Sequence, residues 1–284
     1  MKYGGLLILI ILVLVGCSTS ENIAPAVISK TELVHPTSVQ SSTVVSQFDE
    51  ILDSKGVWMR LIPAGKFTMG RNVGFDERPA HSVYLDAYYI DKYEVANVFY
   101  KACVDQGVCK PPKKISSATH TDYYTNLDFN IYPVVYVDFN MAKTYCEWRG
   151  AKLPSEAQWE KAARGTDQRT YPWGEGIDES LANYNSIAGD TNSVLSYAKG
   201  VSPYGIYNMS GNVSEWIADW YVEDYFQHSP SSNPQGPESS NYRVLRGGSW
   251  SGLDGFVSTT YRTKVYPESA YYDIGFRCVS TFAP

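Results

Sequence analysis

Alternating apolar and polar positions predict a series of short strands after about residue 58. Residues 59–70 alternate on both sides of a Pro-Ala-Gly-Lys segment, which predicts two strands joined by a turn. Residues 81–86 alternate again and predict a third strand. Residues 88–95 continue as an extended segment and lead into a helix at about 95–105. The core side of that helix is expected to carry Val98, Ala102 and Val104.

Two further helices have distinct end signals. Asp138 is expected to cap a helix over residues 139–149, which a glycine follows directly. Ser155 and Gln158 have the spacing of a capping box, which predicts a helix that ends at Gly165.

The second half of the chain predicts few regular elements, because it is rich in Gly, Pro, Asn, Ser and Tyr. Three short strands are predicted, at 242–245, 257–261 and 275–279. We therefore expect a coil-rich fold that disulfides or metal ions help to hold together.

The N-terminus has the pattern of an export signal. Lys2 precedes an apolar run over residues 6–15, which is too short to cross a bilayer that needs about 20 residues. The run ends in Leu-Val-Gly-Cys at 14–17, which resembles a bacterial lipobox. We expect residues 1–16 to be a lipoprotein signal peptide and Cys17 to be lipidated. An ordinary secretory signal is the alternative.

The segment after Cys17 has a different composition from the rest of the chain. Residues 17–46 are rich in Ser, Thr and Val and predict a flexible tether, and residues 47–284 predict the folded domain. The expected location is the bacterial cell envelope, with the lipid anchor in the membrane (the outer membrane if the host has one).

Charge and composition exclude some classes of function. The chain has 24 Lys and Arg against 30 Asp and Glu, a formal net charge of −6, so a nucleic-acid partner is not expected. Hydrophobic residues make up 44% and charged residues 19%, which is typical of a folded chain. The aromatic content of 14% suits a loop-rich fold with many half-buried rings, or a surface that contacts sugars or peptides.

Four cysteines remain when Cys17 is set aside, an even number that predicts disulfides in an exported chain. Four cysteines allow three connectivities. Cys103 and Cys109 bracket a short loop that can close locally, which would leave Cys146 to pair with Cys278. A zinc site is the alternative, but no His lies at metal-ligand spacing from these cysteines.

Seven sequence blocks follow one another in the order of a known family. They include Lys-Leu-Pro-Ser-Glu-Ala-Gln-Trp-Glu at 152–160, Gly-Asn-Val-Ser-Glu-Trp at 211–216, Arg-Gly-Gly-Ser-Trp at 246–250 and Gly-Phe-Arg-Cys at 275–278. Together the blocks resemble the formylglycine-generating enzyme (sulfatase-modifying factor) family over about residues 58–279. The resemblance implies an α+β, C-type-lectin-like fold that is coil-rich, with small antiparallel sheets and two or three helices. It also implies the Cys146–Cys278 pair.

The resemblance also implies a catalytic centre that this chain lacks. The founding enzyme oxidises a protein cysteine to formylglycine with O2 and copper(I) held by two thiolates. The matching positions here are Gly252 and Val257, and neither residue can supply a thiolate. Copper(I) is a soft ion that selects such ligands, so copper is not expected. Ser214 replaces a groove-lining Trp of the family, which indicates an altered groove.

Calcium is the metal that the resemblance does imply, as a structural ion held by oxygen atoms. The first set of ligands would be the Asn208 side chain, the Gly211 and Val213 carbonyls, and the Glu215 side chain. A turn held by hydrogen bonds is the alternative for that segment. A second and looser set is Asn183, the Tyr184 carbonyl and Asp190.

Two arginines in the family blocks are expected to form buried ion pairs or hydrogen bonds to backbone carbonyls. These are Arg246 and Arg277, with Asp91, Glu94 and Glu156 as candidate partners.

The leading interpretation is a lipid-anchored, non-catalytic domain that binds a ligand or serves as a scaffold. Its ligand would be a protein, a peptide or a glycan. The candidate contact residues are the aromatic side chains Trp220, Tyr221, Trp250 and Phe256. An oxidase that converts a protein Cys to formylglycine, or performs a related oxidation, is the alternative enzyme. A purely structural envelope protein is the third interpretation.

Overall fold

Three small sheets and three helices form the regular part of the chain in the computed structural model, which describes residues 49–281. The predicted signal peptide, the lipidation site Cys17 and the tether 17–46 lie outside the described residues. The strands are β1 (Glu50–Leu52), β2 (Trp58–Ile62), β3 (Gly65–Met69), β4 (His81–Leu85), β5 (Tyr88–Asp91), β6 (Ser214–Trp220), β7 (Arg243–Arg246), β8 (Arg262–Val265), β9 (Ile274–Gly275) and β10 (Val279–Ser280). The helices are α1 (Asn97–Asp105), α2 (Phe139–Trp148) and α3 (Glu156–Arg164).

The sheets are small and mostly antiparallel. One sheet has the order β1-β2-β5-β10, a second is the pair β3-β4, and the third has the order β8-β7-β6-β9. Only β6 and β9 pair in parallel among the strands of the described region. More than half of the described chain lies outside helices and strands, which confirms the coil-rich α+β fold. Within the described range, no helix is both long and apolar enough to cross a membrane.

The capping signals predicted two helices correctly. The Asp138 side chain accepts a hydrogen bond from the Met141 amide at 3.0 Å and begins α2. Ser155 and Gln158 form the reciprocal capping box at the start of α3. The strands predicted over 59–70 and 81–86 are also present, as β2, β3 and β4.

Three expectations about the elements were wrong. The buried side of α1 carries Asn97, Tyr100 and Cys103, while Val98 and Ala102 are exposed and Val104 is half-buried. The stretch 257–261 is not a strand, because a 3-10 turn at Asp254–Val257 precedes it and β8 begins only at Arg262. Strand β6 was not predicted, since its sequence Ser-Glu-Trp-Ile-Ala-Asp-Trp has buried charges on a strand that is covered on both faces.

Two disulfides lie in the hydrophobic core that Tyr100, Tyr145 and Phe276 also form. Cys103 pairs with Cys109 and Cys146 with Cys278, which confirms both predicted bonds. In the chain-entropy model, closing a loop of 132 residues stabilises the fold by about 5 kcal/mol, whereas the separation of six residues in the other bond is worth about 2 kcal/mol. The long-range bond therefore ties α2 to the chain between β9 and β10.

Helix α3 carries a network of buried ion pairs that joins it to the third sheet. Arg246 in β7 contacts Glu156 at 3.1 Å and Glu160 at 2.8 Å, and Arg262 in β8 contacts Glu156 at 2.6 Å. The expected partner Glu156 is thus correct for Arg246. The Asp91 carboxylate pairs with Arg149, while its backbone carbonyl accepts from Arg277 at 3.2 Å. Glu94 accepts from asparagine amides instead of an arginine.

One carboxyl group next to this network has an unusual proton affinity. Asp219 accepts a hydrogen bond from the Glu156 amide at 3.0 Å. Burial, and then the neighbouring Glu156 carboxylate, raise the pKa of Asp219 to about 8. The folded protein therefore keeps a proton that the unfolded chain releases above pH of about 4.

This difference predicts how stability depends on pH. The contribution of Asp219 is fully present below pH of about 4 and is lost as the pH rises through about 8. Asp219→Asn keeps the oxygen that accepts from Glu156 and cannot ionise. Relative to the wild type, its free energy of unfolding in urea should rise steadily between pH 5 and pH 8. The exposed control Glu238→Gln should show no such trend, and a constant difference for Asp219→Asn would contradict the assignment.

Candidate functional site

The two positions that match the family's copper thiolates lie at one bend of the chain but hold no ligand. A Cβ atom at Gly252 would lie 3.2 Å from the Ser249 carbonyl oxygen, so a larger residue there needs a small backbone adjustment. Val257 is fully buried and packs against Ala182 and Tyr184. All four cysteines of the described region are in disulfides, so that region holds no free thiol. The residues present do not fit copper(I).

A close backbone approach holds this bend in place. Gly248 has φ of +65°, and a Cβ there would lie 2.3 Å from the Phe256 carbonyl oxygen. Any other residue at Gly248 would be strained and would also collide with that backbone atom. The Gly252 carbonyl accepts from the Asn185 amide at 2.7 Å. The Trp250 carbonyl accepts from Ser186 at the same distance, and Asn185 and Ser186 both have positive φ.

Two hydroxyl groups and one carboxylate meet beside Gly252, and we call Ser249, Ser251 and Asp273 the Ser-Asp cluster. The Asp273 Oδ2 atom accepts from Ser249 at 2.9 Å and from Ser251 at 3.2 Å. The two hydroxyl oxygens lie 3.1 Å apart. The cluster is partly exposed, so a ligand can reach it.

Aromatic rings border the Ser-Asp cluster. The ring of Trp250 lies 5.6 Å from that of Tyr272, and Tyr272 is exposed. The Trp250 Nε1 atom is buried and has no hydrogen-bond partner. A buried donor of this kind costs about 1–3 kcal/mol if it stays unpaired. The site thus combines hydrogen-bonding oxygens with ring faces and one unused donor.

The chemistry of the Ser-Asp cluster favours binding over covalent catalysis. A serine nucleophile needs a general base to take its proton, usually an imidazole. The hydrogen-bond partners of Ser249 and Ser251 are each other and Asp273, and no His is among them. Sequence reasoning missed this cluster because Asp273 lies 22 residues beyond Ser251 and only the fold brings them together.

The first predicted calcium segment is rich in oxygen atoms that already have partners. The Asn208 side chain donates to Glu94 Oε2 at 3.0 Å. The Glu215 carboxylate accepts from Arg277 at 2.6 Å and from Trp159 at 2.8 Å. Gly211 lies in a left-handed conformation and so close to Asn183 that a Cβ would be 2.1 Å from its carbonyl oxygen.

Glu94 is a buried residue that contacts this segment, whereas the sequence analysis gave it as a candidate partner of an arginine. Its Oε2 atom also accepts from the Asn212 amide at 2.7 Å, and its Oε1 atom accepts from the Val213 amide at 3.3 Å. Burial, and then the charge of Glu215, raise the pKa of Glu94 to about 8. The sequence signal for this position of Glu94 was the pair Asn208 and Asn212, whose side-chain amides need an acceptor when they are buried.

The second predicted calcium set contains one acceptor without a partner. Asn183 is fully buried, its amide donates to the Asp190 carbonyl at 2.9 Å, and its Oδ1 atom accepts from no group in the described region. The Asp190 carboxylate accepts from Ser117 at 2.5 Å and from Thr119, which lower its pKa. The Tyr184 carbonyl accepts from Ile187 at 3.1 Å. No group of three or more His, Cys, Asp or Glu side chains in the described range is placed to hold a metal.

The four aromatic candidates do not form one surface patch. Trp220 stacks on Arg243, and Tyr221 is buried and donates to Asp76 at 2.8 Å. Trp250 is buried beside the Ser-Asp cluster, and Phe256 is exposed next to Tyr261. Of the four, Trp250 lies between Ser249 and Ser251 in the chain, and its ring contacts that of Tyr272.

Comparison with known proteins agrees with this architecture. The model of the sulfatase-modifying factor enzyme 1-like domain matches residues 51–282. The chain belongs to this family. The solved structure of PvdO from Pseudomonas aeruginosa is similar, with a TM-score of 0.70 and 27% identity over 82% of this chain and 98% of that chain. The formylglycine-generating-enzyme-like domain and its fold, as expected from the seven blocks, are confirmed.

Curated relatives include both enzymes named for formylglycine generation and larger proteins. The formylglycine-generating enzyme of Bos taurus is 31% identical over 78% of this chain and 74% of its own length. The serine/threonine-protein kinase pkn1 of Chlamydia caviae is 37% identical over 78% of this chain. The match spans only 37% of the length of that chlamydial protein.

Proposed function

We propose that this sulfatase-modifying-factor-like chain is a non-catalytic ligand-binding domain that a lipid on Cys17 anchors to the bacterial cell envelope. The observation that carries the proposal is the pair Gly252 and Val257, which stand where the family's copper thiolates would be. Val257 is an apolar, fully buried residue, so this bend is built as packing and not as a metal site. The relatives named for formylglycine generation support the alternative oxidase only through the shared fold.

The ligand contacts are assigned to the Ser-Asp cluster and the neighbouring rings. Asp273 offers acceptor oxygens, and Ser249 and Ser251 can both donate and accept. Trp250 and Tyr272 provide apolar faces with polar tips. A peptide or glycan with several hydroxyl or amide groups has the matching chemistry.

Capture on glycan and peptide arrays tests this assignment. The purified wild type should retain a restricted set of probes, and Asp273→Asn and Ser251→Ala should each weaken retention by about 5–20-fold through the loss of hydrogen bonds. The exposed control Glu238→Gln should bind like the wild type. Equal binding by all four proteins, or no captured probe, would contradict the assignment of the ligand site.

We also propose one structural calcium ion at Asn183, Tyr184 and Asp190. The support is the buried Asn183 Oδ1 atom, an acceptor without a partner in the described region, which belongs to the ligand set that the family resemblance implies. A cation would satisfy that atom, and calcium takes oxygen ligands. In the segment Asn208–Glu215, the Asn208 and Glu215 side chains that would bind calcium already make hydrogen bonds. We therefore assign no ion there.

Calcium binding is testable by stability. Calcium at 100 times its dissociation constant should stabilise the protein by about 2.7 kcal/mol relative to a chelator. Asn183→Ala should remove most of that increment in thermal unfolding, whereas the exposed control Asn241→Ala should keep it. A calcium increment that is absent from the wild type, or unchanged in Asn183→Ala, would rule out this site.

The anchor is tested on the protein from cells. Intact-mass analysis of the mature protein should find an N-terminus at Cys17 that carries acyl chains, and Cys17→Ser should move the protein out of the membrane fraction. An unmodified Cys17 would rule out the lipid anchor and favour the alternative, an ordinary secretory signal.

A further inference from the structure

Arg243 differs from every other partly or fully buried arginine of the described region. The other eight each have a carboxylate oxygen within 4 Å; they are Arg60, Arg71, Arg149, Arg164, Arg169, Arg246, Arg262 and Arg277. Arg243 has none within that distance. Its Nη1 atom donates to the Ala218 carbonyl, and its buried Nε atom has no partner.

Aromatic rings hold the Arg243 guanidinium group in place. Its Cζ atom lies 3.4 Å from the ring centre of Trp220 and 4.0 Å from that of Phe139. These cation–π contacts fix the group on β7 without neutralising its charge. Desolvation lowers the pKa of Arg243 to about 10, so it remains a cation at neutral pH. The nearby carboxyl group of Asp219, whose pKa is raised to about 8, offers no hydrogen bond to it.

The guanidinium group lines a cavity of about 220 Å³ between α2 and the start of β7. Lys143 and Glu147 line it from the exposed side of α2, and Lys152 lines it from the segment before α3. Phe139 and Leu153 supply an apolar wall. Lys152 is exposed, and no carboxylate of the described region lies within 4 Å of its Nζ atom.

The charges of this cavity are unbalanced. Lys143, Lys152 and Arg243 are cationic, and Glu147 is the one carboxylate among the lining residues. Glu147 forms an ion pair with Lys143 at 3.7 Å. Both side chains are more than half exposed, so that ion pair is weak. An anion in the cavity would therefore meet two uncompensated cations, one of them held rigidly.

We propose that this cavity binds a small organic carboxylate with a short aliphatic or aromatic body. The planar Arg243 guanidinium group lines the cavity, and its Nη2 atom donates to no group of the described region, so it can donate to a carboxylate, whose planar shape suits an arginine better than a lysine. Lys143 and Lys152 flank the same cavity as point charges. The wall of Phe139 and Leu153 is the surface on which the body of the ligand would lie. This site shares no residue with the Ser-Asp cluster, so it stands or falls independently of the proposed function.

Binding of benzoate and butyrate to the purified protein tests the site, with benzamide and butyramide as uncharged probes of the same shape. Titration calorimetry should show saturable binding of the two acids at millimolar concentration and none of the amides. Trp220 fluorescence should change with the acids, because its ring covers the guanidinium group. Equal binding of acids and amides, or no binding of either acid, would overturn the proposal.

Variants locate the binding in the cavity. Lys143→Gln and Lys152→Gln should each weaken benzoate binding about 2–5-fold, the effect of one exposed ion pair. The matched control is Lys101→Gln, because Lys101 pairs with Asp105 four residues on, as Lys143 pairs with Glu147, at similar exposure. Glu147→Gln should tighten binding, since it removes the opposing charge.

Arg243→Lys keeps the charge but loses the planar fork, and should weaken benzoate more than it weakens inorganic sulfate. If sulfate and phosphate bind the wild type as tightly as benzoate, the carboxylate assignment is wrong. If the two lysine variants behave like Lys101→Gln, the cavity is not the site.

Discussion

The fold depends on two carboxylates of α3, Glu156 and Glu160, which hold Arg246 in the interior. Arg246 is fully buried and contacts both of them, and Arg262 shares Glu156. Removing one partner of such a buried pair leaves an uncompensated charge and costs about 3–5 kcal/mol. Since Arg246 opens the Arg-Gly-Gly-Ser-Trp segment, the same contacts fix where Ser249 and Trp250 lie. The hydrogen bonds that make the scaffold also place the candidate site.

On that scaffold, the chemistry of the site is decided by a few side chains at one bend. Gly248 permits the close approach to Phe256 that brings the segment around Gly252 and Val257 together. Where thiolates would make this a soft-metal centre, an apolar side chain and a glycine leave a packed bend. The Ser-Asp cluster beside it offers hydroxyl and carboxylate oxygens instead. The family fold is thus retained, and on this bend it carries hydroxyl and carboxylate oxygens and no thiol.

Local signals in the sequence predicted local structure well. The capping residues Asp138 and Ser155 located the starts of α2 and α3, because a cap involves side chains only three residues from the amide that they bind. The prediction of which side of α1 faces the core was wrong. Val98 and Ala102 are apolar, but Tyr100 and the disulfide at Cys103 are the buried groups. Apolar character alone could not identify that side.

Contacts between distant segments were predicted less well. The Cys146–Cys278 bond followed from counting and from the family, and Glu156 was a correct partner for Arg246. The Glu215 partner of Arg277 and the Ser-Asp cluster were not predicted. Asp273 precedes β9 and Ser251 follows β7, and the two meet because both strands pair with β6. Arg243 likewise gives no signal in sequence, since its lack of a carboxylate is a property of the assembled core.

The most direct test of the central claim is an oxidation assay with copper(I), O2 and a peptide that carries a sulfatase-type cysteine motif, followed by the mass of the peptide. The account predicts an unchanged peptide from folded wild-type protein, both with added calcium and with a chelator. Conversion of the cysteine to an aldehyde by the wild type would contradict the account, because it would require a copper site that Gly252 and Val257 cannot provide.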